Sequence, residues 1–338
     1  MERALVTGAN GFVGCWLVED LLRDGCEVLG VGRVPDPAAP PARLGVFALS
    51  GTDADGAAAY AGEAGAWRFR DLDLAARGAA EDLLASFRPD AVYHLAAQSS
   101  AARSFEDPRL TFDVNLGGTL GLLEAQRALP AADRPLLLAV GSSEEYGPAA
   151  AGTPLDESTP LNPLSPYGVS KAAQTMLCRQ YARAFDLPVV AARPFPHTGP
   201  GQSTVFAYPS FARQIVAIER GEQPPVLRVG DLSPLRDYLH VRDVVRAYRL
   251  LREKGEPGAV YNIASGTGLT MQKGLDILCA ASESEIRVEP DPARFRPSDV
   301  PYMVGDCDKL KRATGWRPSG AFDDTLRELL QWTREYAT

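Results

Sequence analysis

The run Gly141-Ser142-Ser143-Glu144-Glu145-Tyr146-Gly147 sets hydroxyls and acids directly after the apolar stretch Leu136-Leu137-Leu138-Ala139-Val140. Such a stretch reads as a strand buried on both faces of a parallel sheet. Ligands of open α/β sheets bind outside the carboxyl ends of the strands, so Ser142, Ser143 and Glu144 are expected at a crevice. Beyond a proline-rich loop, a helix starts near Ser165-Pro166 and carries Tyr167 and Lys171 on one face. A phenol titrates near pH ~10, and a neighbouring ammonium lowers that value. With Ser142 bonded to the same substrate oxygen, the trio can protonate or deprotonate a hydroxyl or carbonyl. Taken alone, Tyr-x-x-x-Lys is more often a half-buried ring beside a solvated charge.

The elements that position these groups begin at the N-terminus. Ala4-Leu5-Val6-Thr7 reads as a strand, and Gly8-Ala9-Asn10-Gly11-Phe12-Val13-Gly14 as a turn into a helix with Val13, Leu17 and Leu21 on its apolar stripe. Glycines 8, 11 and 14 admit a pyrophosphate to the backbone, and the helix start offers it unpaired N–H groups, so a dinucleotide is expected. A second strand covers Glu27 to Arg33. NAD-preferring proteins carry an acid about 20 residues beyond the glycines to hold the ribose 2′-hydroxyl. Here Gly32 and Arg33 stand in that place. Gly32 leaves room for a 2′-phosphate and Arg33 can grip it, which favours NADP(H) over NAD(H). The plainer reading makes Arg33 a solvated strand-end charge.

Residues 35 to 66, rich in Pro, Ala and Gly, read as a variable excursion without firm pattern. Trp67 to Leu72 reads as a third strand with Asp71 and Leu72 near an adenine. Gly78 to Phe87 reads as a helix, and Ala91 to Ala97 as a fourth strand whose tip, Gln98-Ser99-Ser100, borders the cofactor. His94, inside that strand, reads as a core histidine. A long helix over Arg109 to Leu129 carries Asn115, oddly polar for a leucine face, and Val189 to Arg193 adds a strand. This alternation implies an α/β protein with a doubly wound parallel (Rossmann) sheet, a dinucleotide-binding domain over 1–193. A smaller C-terminal α/β substrate-binding domain follows (194–234 and 266–338), while a segment about 235–265 returns to the first domain, with a strand from Val260 to Ala264. Helices are expected at Phe206 to Glu219, up to Arg252, and from Leu326 to Tyr336, with a strand at Val226 to Val229.

The 338 residues, 45% hydrophobic and 23% charged, are ordinary for a globular protein. A formal charge of −8 with no dense Lys/Arg cluster argues against nucleic acid. Cys15, Cys26, Cys178, Cys279 and Cys307 are scattered without a C-x-x-C, which argues against disulfides and metal sites and fits a reducing compartment. With no export signal and no apolar run near ~20 residues, the sequence points to the cytoplasm and away from membranes.

Together, T-G-A-N-G-F-V-G, H-L-A-A-Q-S, G-S-S-E-E-Y-G, S-P-Y-G-V-S-K, H-T-G-P-G-Q-S, R-D-Y-L-H-V-R-D and R-P-S-D-V resemble the extended short-chain dehydrogenase/reductases of the nucleotide-sugar branch, the NAD-dependent epimerase/dehydratase family. The resemblance covers essentially the whole chain. It implies hydride exchange between a nicotinamide and C4 of a keto sugar, with Tyr167 delivering a proton and Ser142 holding the same oxygen. Lys171 would bind the nicotinamide ribose and lower the Tyr167 pKa. Asn10, Phe12, Val13, Leu95, Ala96, Ala97, Pro194 and His197 join the glycines, Arg33, Asp71 and Leu72 at the dinucleotide. Gln98, Ser99, Ser142, Glu144, Arg236, Arg296 and Asp299 would meet the substrate, the two arginines as pyrophosphate clamps.

Three of the motifs look most like the family's GDP-4-keto-6-deoxy-D-mannose reductases, which make GDP-D-rhamnose. The segment Ala97 to Pro108 looks equally like its GDP-mannose 4,6-dehydratases. There the acid matching Glu144 removes a C5 proton, and a neighbour, here Ser143, assists loss of the C6 hydroxyl. A 4-epimerase that recycles its cofactor internally is a further alternative. A dinucleotide sensor without chemistry is remote, because this chain keeps both Tyr167 and Lys171. Relatives usually carry Asn at the position of Pro196, so that contact is lost or supplied elsewhere. Family members often pair as homodimers, which here would use the 109–129 and Tyr167 helices.

Overall fold

The computed structural model of the protein describes residues 1–33, 47–53, 56–148, 150, 152–295 and 300–336. The first half runs β1 (Arg3–Thr7), α1 (Phe12–Arg23), β2 (Glu27–Gly32), β3 (Phe47–Thr52), β4 (Ala58–Gly62), β5 (Gly65–Asp71), α2 (Ala79–Phe87) and β6 (Ala91–His94). Next come α3 (Ala101–Glu106), α4 (Pro108–Phe112), α5 (Gly118–Ala128), β7 (Leu136–Val140), α6 (Pro166–Phe185) and β8 (Val189–Pro194). The remainder holds β9 (His197–Thr198), α7 (Ala207–Glu219), β10 (Val226–Val229), β11 (Leu235–Arg236), β12 (Leu239–His240), α8 (Val241–Lys254) and β13 (Val260–Ile263). It closes with β14 (Leu269–Thr270), α9 (Met271–Ala280), β15 (Arg287–Pro290), β16 (Tyr302–Met303), α10 (Asp308–Thr314) and α11 (Phe322–Tyr336).

The main sheet is ordered β13-β8-β7-β6-β1-β2-β5-β4-β3. It is parallel from β13 to β5 and antiparallel beyond. Strand order reverses between β1 and β6, and a crevice opens at the carboxyl ends of such a pair. Side-chain alternation sends Ala4 and Val6 of β1 to the face covered by α1 and α8, and Leu5 to the face covered by α2, α5 and α6. Two-sided covering explains the unbroken apolar runs of β1, β7 and β8. A third core joins α7, α9 and α11 to β10 through Phe211, Ile215, Leu275, Leu278, Leu330 and Leu227. Each fully buried leucine there contributes roughly 1.5–3 kcal/mol. Short strands after β8 pair among themselves: β10 with β15, β11 with β14 and β16, and β12 with β9.

Three expectations are corrected. Residues 47–66 are not a patternless excursion, because β3 and β4 form an antiparallel hairpin that extends the sheet past β5; residues 34–46 lie outside the described residues. Alanine and glycine give β4 little intrinsic strand preference, and tertiary packing supplies the order. Tyr60 stacks on Trp67 at 5.4 Å between ring centres, and Phe47 meets Trp67 edge-on at 5.7 Å. The helix expected over Arg109 to Leu129 is broken by a π-helical turn, Asp113–Gly117, between α4 and α5. The strand expected to reach Ala97 ends at His94. His94 is a core residue: one ring nitrogen bonds Thr7 Oγ1 at 2.8 Å, the other Thr119 Oγ1 at 2.9 Å. Burial lowers its pKa to about 3. All five cysteines are thiols, with Cys15, Cys178 and Cys307 buried. Among the described residues, no helix is long and apolar enough to cross a membrane.

Candidate active site

The glycine turn is tight enough to explain its composition. Gly8 has φ 71°, and a Cβ there would stand 2.8 Å from the Ala96 nitrogen. A Cβ on Gly14 would collide with the Gly8 carbonyl, so only glycine lets α1 start against the turn. The N-cap of α1 is Gly11, which has no capping side chain, and the first turn holds no acid. Its leading N–H groups are therefore suited to a pyrophosphate. Leu95, Ala96 and Ala97 continue β6 alongside: Leu95 N–H donates to Thr7 O at 3.2 Å and Ala96 N–H to Thr7 Oγ1 at 3.1 Å. His197 lies on the other side, its ring stacked 6.3 Å from Phe12, just past Pro194 at the end of β8.

At the adenosine end the expectation for Gly32 is revised. A Cβ there would run into the Asn10 side chain, whose Nδ2 donates to Arg33 O at 2.8 Å. Gly32 thus makes room for Asn10 rather than for a 2′-phosphate. Arg33 is exposed and paired with Asp73 at 2.7 Å, just beyond Asp71 and Leu72 at the tip of β5.

Ser142 caps the single turn Ser143–Glu145, its hydroxyl accepting from Glu144 N–H at 3.2 Å. Ser165 caps α6. A Cβ on Gly168 would stand 2.7 Å from Glu144 O, so glycine brings the start of α6 onto that turn. This approach sets Tyr167 beside the Ser142 turn. Burial raises the Tyr167 pKa above its usual value, the neighbouring Ser142 hydroxyl draws it back, and Glu144 and Glu145 push it up. The expected lowering by Lys171 is not found. Lys171 is 2% exposed and spends its protons on Val140 O at 2.8 Å and Gln174 Oε1 at 3.0 Å. Burial lowers its own pKa to about 8.

Around this centre the placements differ. Glu144 is half-buried beside Tyr167, whereas the Ser143 hydroxyl turns away into the protein, 3.2 Å from Met303 Sδ. Met303 is the register partner of Arg236, so the strand carrying Arg236 lies against the Ser142 turn. Gln98 does not present its amide outward: it bonds Ser100 N–H at 2.7 Å, Ser100 O at 3.0 Å and Thr111 Oγ1 at 3.1 Å. Ser99 is exposed beside it. Arg296 and Asp299 lie outside the described residues.

Residues that sequence reading did not assign hold the parts together. Asn115, in the π turn, accepts from Gln98 N–H at 2.8 Å and donates to Ser170 Oγ at 2.9 Å, tying the loop after β6 to α6. Glu145 and Arg193 form an ion pair at 2.6 Å with exposures of 0% and 3%. An arginine inside the apolar run Val189 to Pro194 was the available signal, since a buried charge requires a partner. Asp237, fully buried, accepts from Ser265 Oγ at 2.6 Å, Gly266 N–H at 2.9 Å and Gly305 N–H at 3.2 Å, gathering three loops beside Arg236.

The Ser142 turn with Tyr167 at β7 and the glycine turn at β1 thus stand at the carboxyl ends of two strands with only β6 between them. The model of the GDP-mannose 4,6 dehydratase family matches residues 5–329. The chain belongs to that family. Within and around the GDP-mannose 4,6 dehydratase family, relatives carry out more than one reaction. GDP-6-deoxy-D-mannose reductase of Pseudomonas aeruginosa is 39% identical over 243 residues, 72% of this chain and 79% of that protein. GDP-mannose 4,6-dehydratase of Vibrio cholerae is 29% identical over 97% of this chain and 93% of its own. The structure of RMD from Pseudomonas aeruginosa complexed with NADPH superposes with a TM-score of 0.79 at 32% identity, covering 99% of each chain. The UDP-glucose 4-epimerase of Thermus thermophilus in complex with NAD gives 0.82 at 31% identity, over 99% of this chain and 100% of that one.

Proposed function

We propose that this member of the family is an NADP(H)-dependent reductase of the 4-keto group of a nucleotide-linked 6-deoxy sugar, of the kind that takes GDP-4-keto-6-deoxy-D-mannose to GDP-D-rhamnose. The observation that carries the reading is the approach of Tyr167 to the Ser142 turn, where Gly168 lies against Glu144 O and burial holds the phenol's pKa above the ordinary value. A phenol that keeps its proton suits delivery to a developing alkoxide. The 39% identity to a GDP-6-deoxy-D-mannose reductase supports the substrate.

The coenzyme, when bound, supplies the hydride that reaches C4. Gly8, Gly11, Gly14 and the first amides of α1 would hold its pyrophosphate, with Phe12, Val13 and His197 alongside. Arg33 would leave Asp73 for the 2′-phosphate. Lys171 would meet the nicotinamide ribose, while Pro194, Leu95, Ala96 and Ala97 wall the pocket and Asp71 and Leu72 border the adenine. On the substrate side, Ser142 holds the C4 oxygen, Tyr167 gives it a proton, and Arg236 with Arg296 neutralises the sugar's diphosphate. Ser99 and Glu144 complete that rim. The test is loss of NADPH absorbance when purified protein meets GDP-4-keto-6-deoxy-D-mannose; a flat trace rejects the reductase.

Glu144 favours a second reading, because it stands beside Tyr167 where a 4,6-dehydratase needs its C5 base. Conversion of GDP-mannose to a dehydrated product without added coenzyme would mark it. The remaining proposals concern setting. The residues 1–193 with 235–265 form the dinucleotide-binding domain, and 194–234 with 266–338 the substrate-binding domain. The chain works in the cytoplasm as a homodimer, joined through α4, α5 and α6, where Leu110, Leu120, Leu164, Val169 and Met176 are 41–57% exposed on neighbouring elements.

A further inference from the structure

Glu145, next to the acid that the sequence draws attention to, has both oxygens engaged in the interior. Oε1 accepts from Ser142 N–H at 2.9 Å and from Thr175 Oγ1 at 3.0 Å, and Oε2 accepts from Arg193 Nε at 2.6 Å. Those three donors come from the Ser142 turn, from α6 one turn past Lys171, and from β8. One carboxylate therefore fastens the segment bearing Ser142 to the helix bearing Tyr167 and Lys171. The packing is close: a Cβ on Gly141 would collide with Oε1. Arg193 is itself anchored, donating to the Tyr146 hydroxyl at 3.2 Å, and that hydroxyl donates to Asn262 Oδ1 at 2.7 Å.

Burial pushes the Glu145 pKa up. Every group bonded to it, however, is a donor, and one carries a full positive charge, so this pocket is built for the ionised form. We infer that Glu145 is a positioning residue for the reaction: its carboxylate fixes the Ser142 peptide against α6 and supplies the negative charge that keeps the proton on buried Lys171. The inference rests on the reductase reading for its kinetic arm alone.

The charged and titratable groups facing Lys171 are Glu145, Cys178 on its own helix and His94 on β6. His94 is neutral at ordinary pH, so Glu145, shared with Arg193, is the acid whose charge acts on the ammonium. A partner of opposite charge raises an ammonium's pKa, against the burial that brings Lys171 down to about 8. Removing that charge shifts the Lys171 midpoint to lower pH.

The lysines of this chain are Lys171, Lys254, Lys273, Lys309 and Lys311, few enough to resolve by NMR of protein labelled at lysine Cε, with Lys171→Arg identifying the signal. In the intact protein the Lys171 signal titrates near pH 8, and in Glu145→Gln the midpoint falls by about one pH unit. In the NADPH assay the same variant loses about 100-fold in kcat with KM within about twofold, since its amide nitrogen sets a donor against Arg193 Nε and loosens the clamp on the Ser142 turn. Glu145→Asp keeps the charge but withdraws the carboxylate from Ser142. It retains the wild-type Lys171 midpoint while kcat stays depressed, and it carries the test if Glu145→Gln does not fold. An unmoved midpoint in Glu145→Gln, or wild-type kcat in Glu145→Asp, overturns the inference. Should the wild-type protein show no reductase activity, the substrate reading fails, and the lysine titration still decides the role of Glu145.

Discussion

At the scale of single residues, the site separates groups that meet substrate from groups that hold them. Tyr167→Phe removes the transferable proton without disturbing the glycine turn. Turnover should fall at least about 100-fold while NADPH binding, followed by fluorescence titration, stays within about twofold. Loss of both would assign Tyr167 to cofactor binding instead. Arg33 offers a second separation. Its partner Asp73 lies across an exposed pair at 2.7 Å, a contact worth little by itself, so a phosphate with more charge can displace it. Arg33→Ala should weaken NADPH by about 1.5–3 kcal/mol, roughly 10- to 100-fold in Kd, and leave NADH nearly unchanged. Equal losses for the two coenzymes would refute the 2′-phosphate role.

At the scale of elements, β6 is held to β1 and α5 through His94, whose two ring nitrogens bond Thr7 and Thr119. Its pKa is about 3 in the folded protein against 6.5 ordinarily. An unfolded chain thus binds a proton that the folded one refuses. This contribution to stability is complete above pH 6.5 and is lost as pH falls from 6.5 toward 3, at about 1.4 kcal/mol per pH unit. Urea midpoints measured between pH 7 and 4 should decline more steeply for the native protein than for His94→Gln; parallel slopes would show that His94 does not drive the loss. Likewise Gly14→Ala, which sets a methyl against the Gly8 carbonyl, should cost about 1–3 kcal/mol and abolish dinucleotide binding. The parallel strands, α1 and α6 with its start set against the Ser142 turn were legible in the sequence because hydrophobic period, capping serine and glycine spacing all express local rules. The β3–β4 hairpin was not, since its strands depend on contacts with Trp67 rather than on their own composition. Nor was the π turn, whose only trace was Asn115, a polar residue that closes a long-range bond to the loop after β6. The roles of Gly32 and Gln98 were misjudged for a related reason: each serves a neighbour in the fold, Asn10 in one case and Ser100 with Thr111 in the other.

At the scale of the whole molecule, two surfaces bear on assembly and change. Val169 and Met176 stand on the outer side of α6, 42% and 57% exposed. The double substitution Val169→Glu and Met176→Glu should convert the proposed homodimer to monomer in analytical ultracentrifugation, whereas Leu49→Glu on the outlying β3 should not; a native protein already monomeric at micromolar concentration rejects the pairing. The substrate side has a different logic. Asp237 takes hydrogen bonds from Ser265, Gly266 and Gly305 at once, so its own segment, the loop at 265–266 and the loop at 305 meet in a single acidic knot. A new specificity grafted onto this scaffold must therefore carry Asp237 together with both donor loops, because exchanging the Asp237 segment strands the donors of the other two. Drift toward new sugars is channelled the same way, through coordinated replacement of the set instead of one loop at a time.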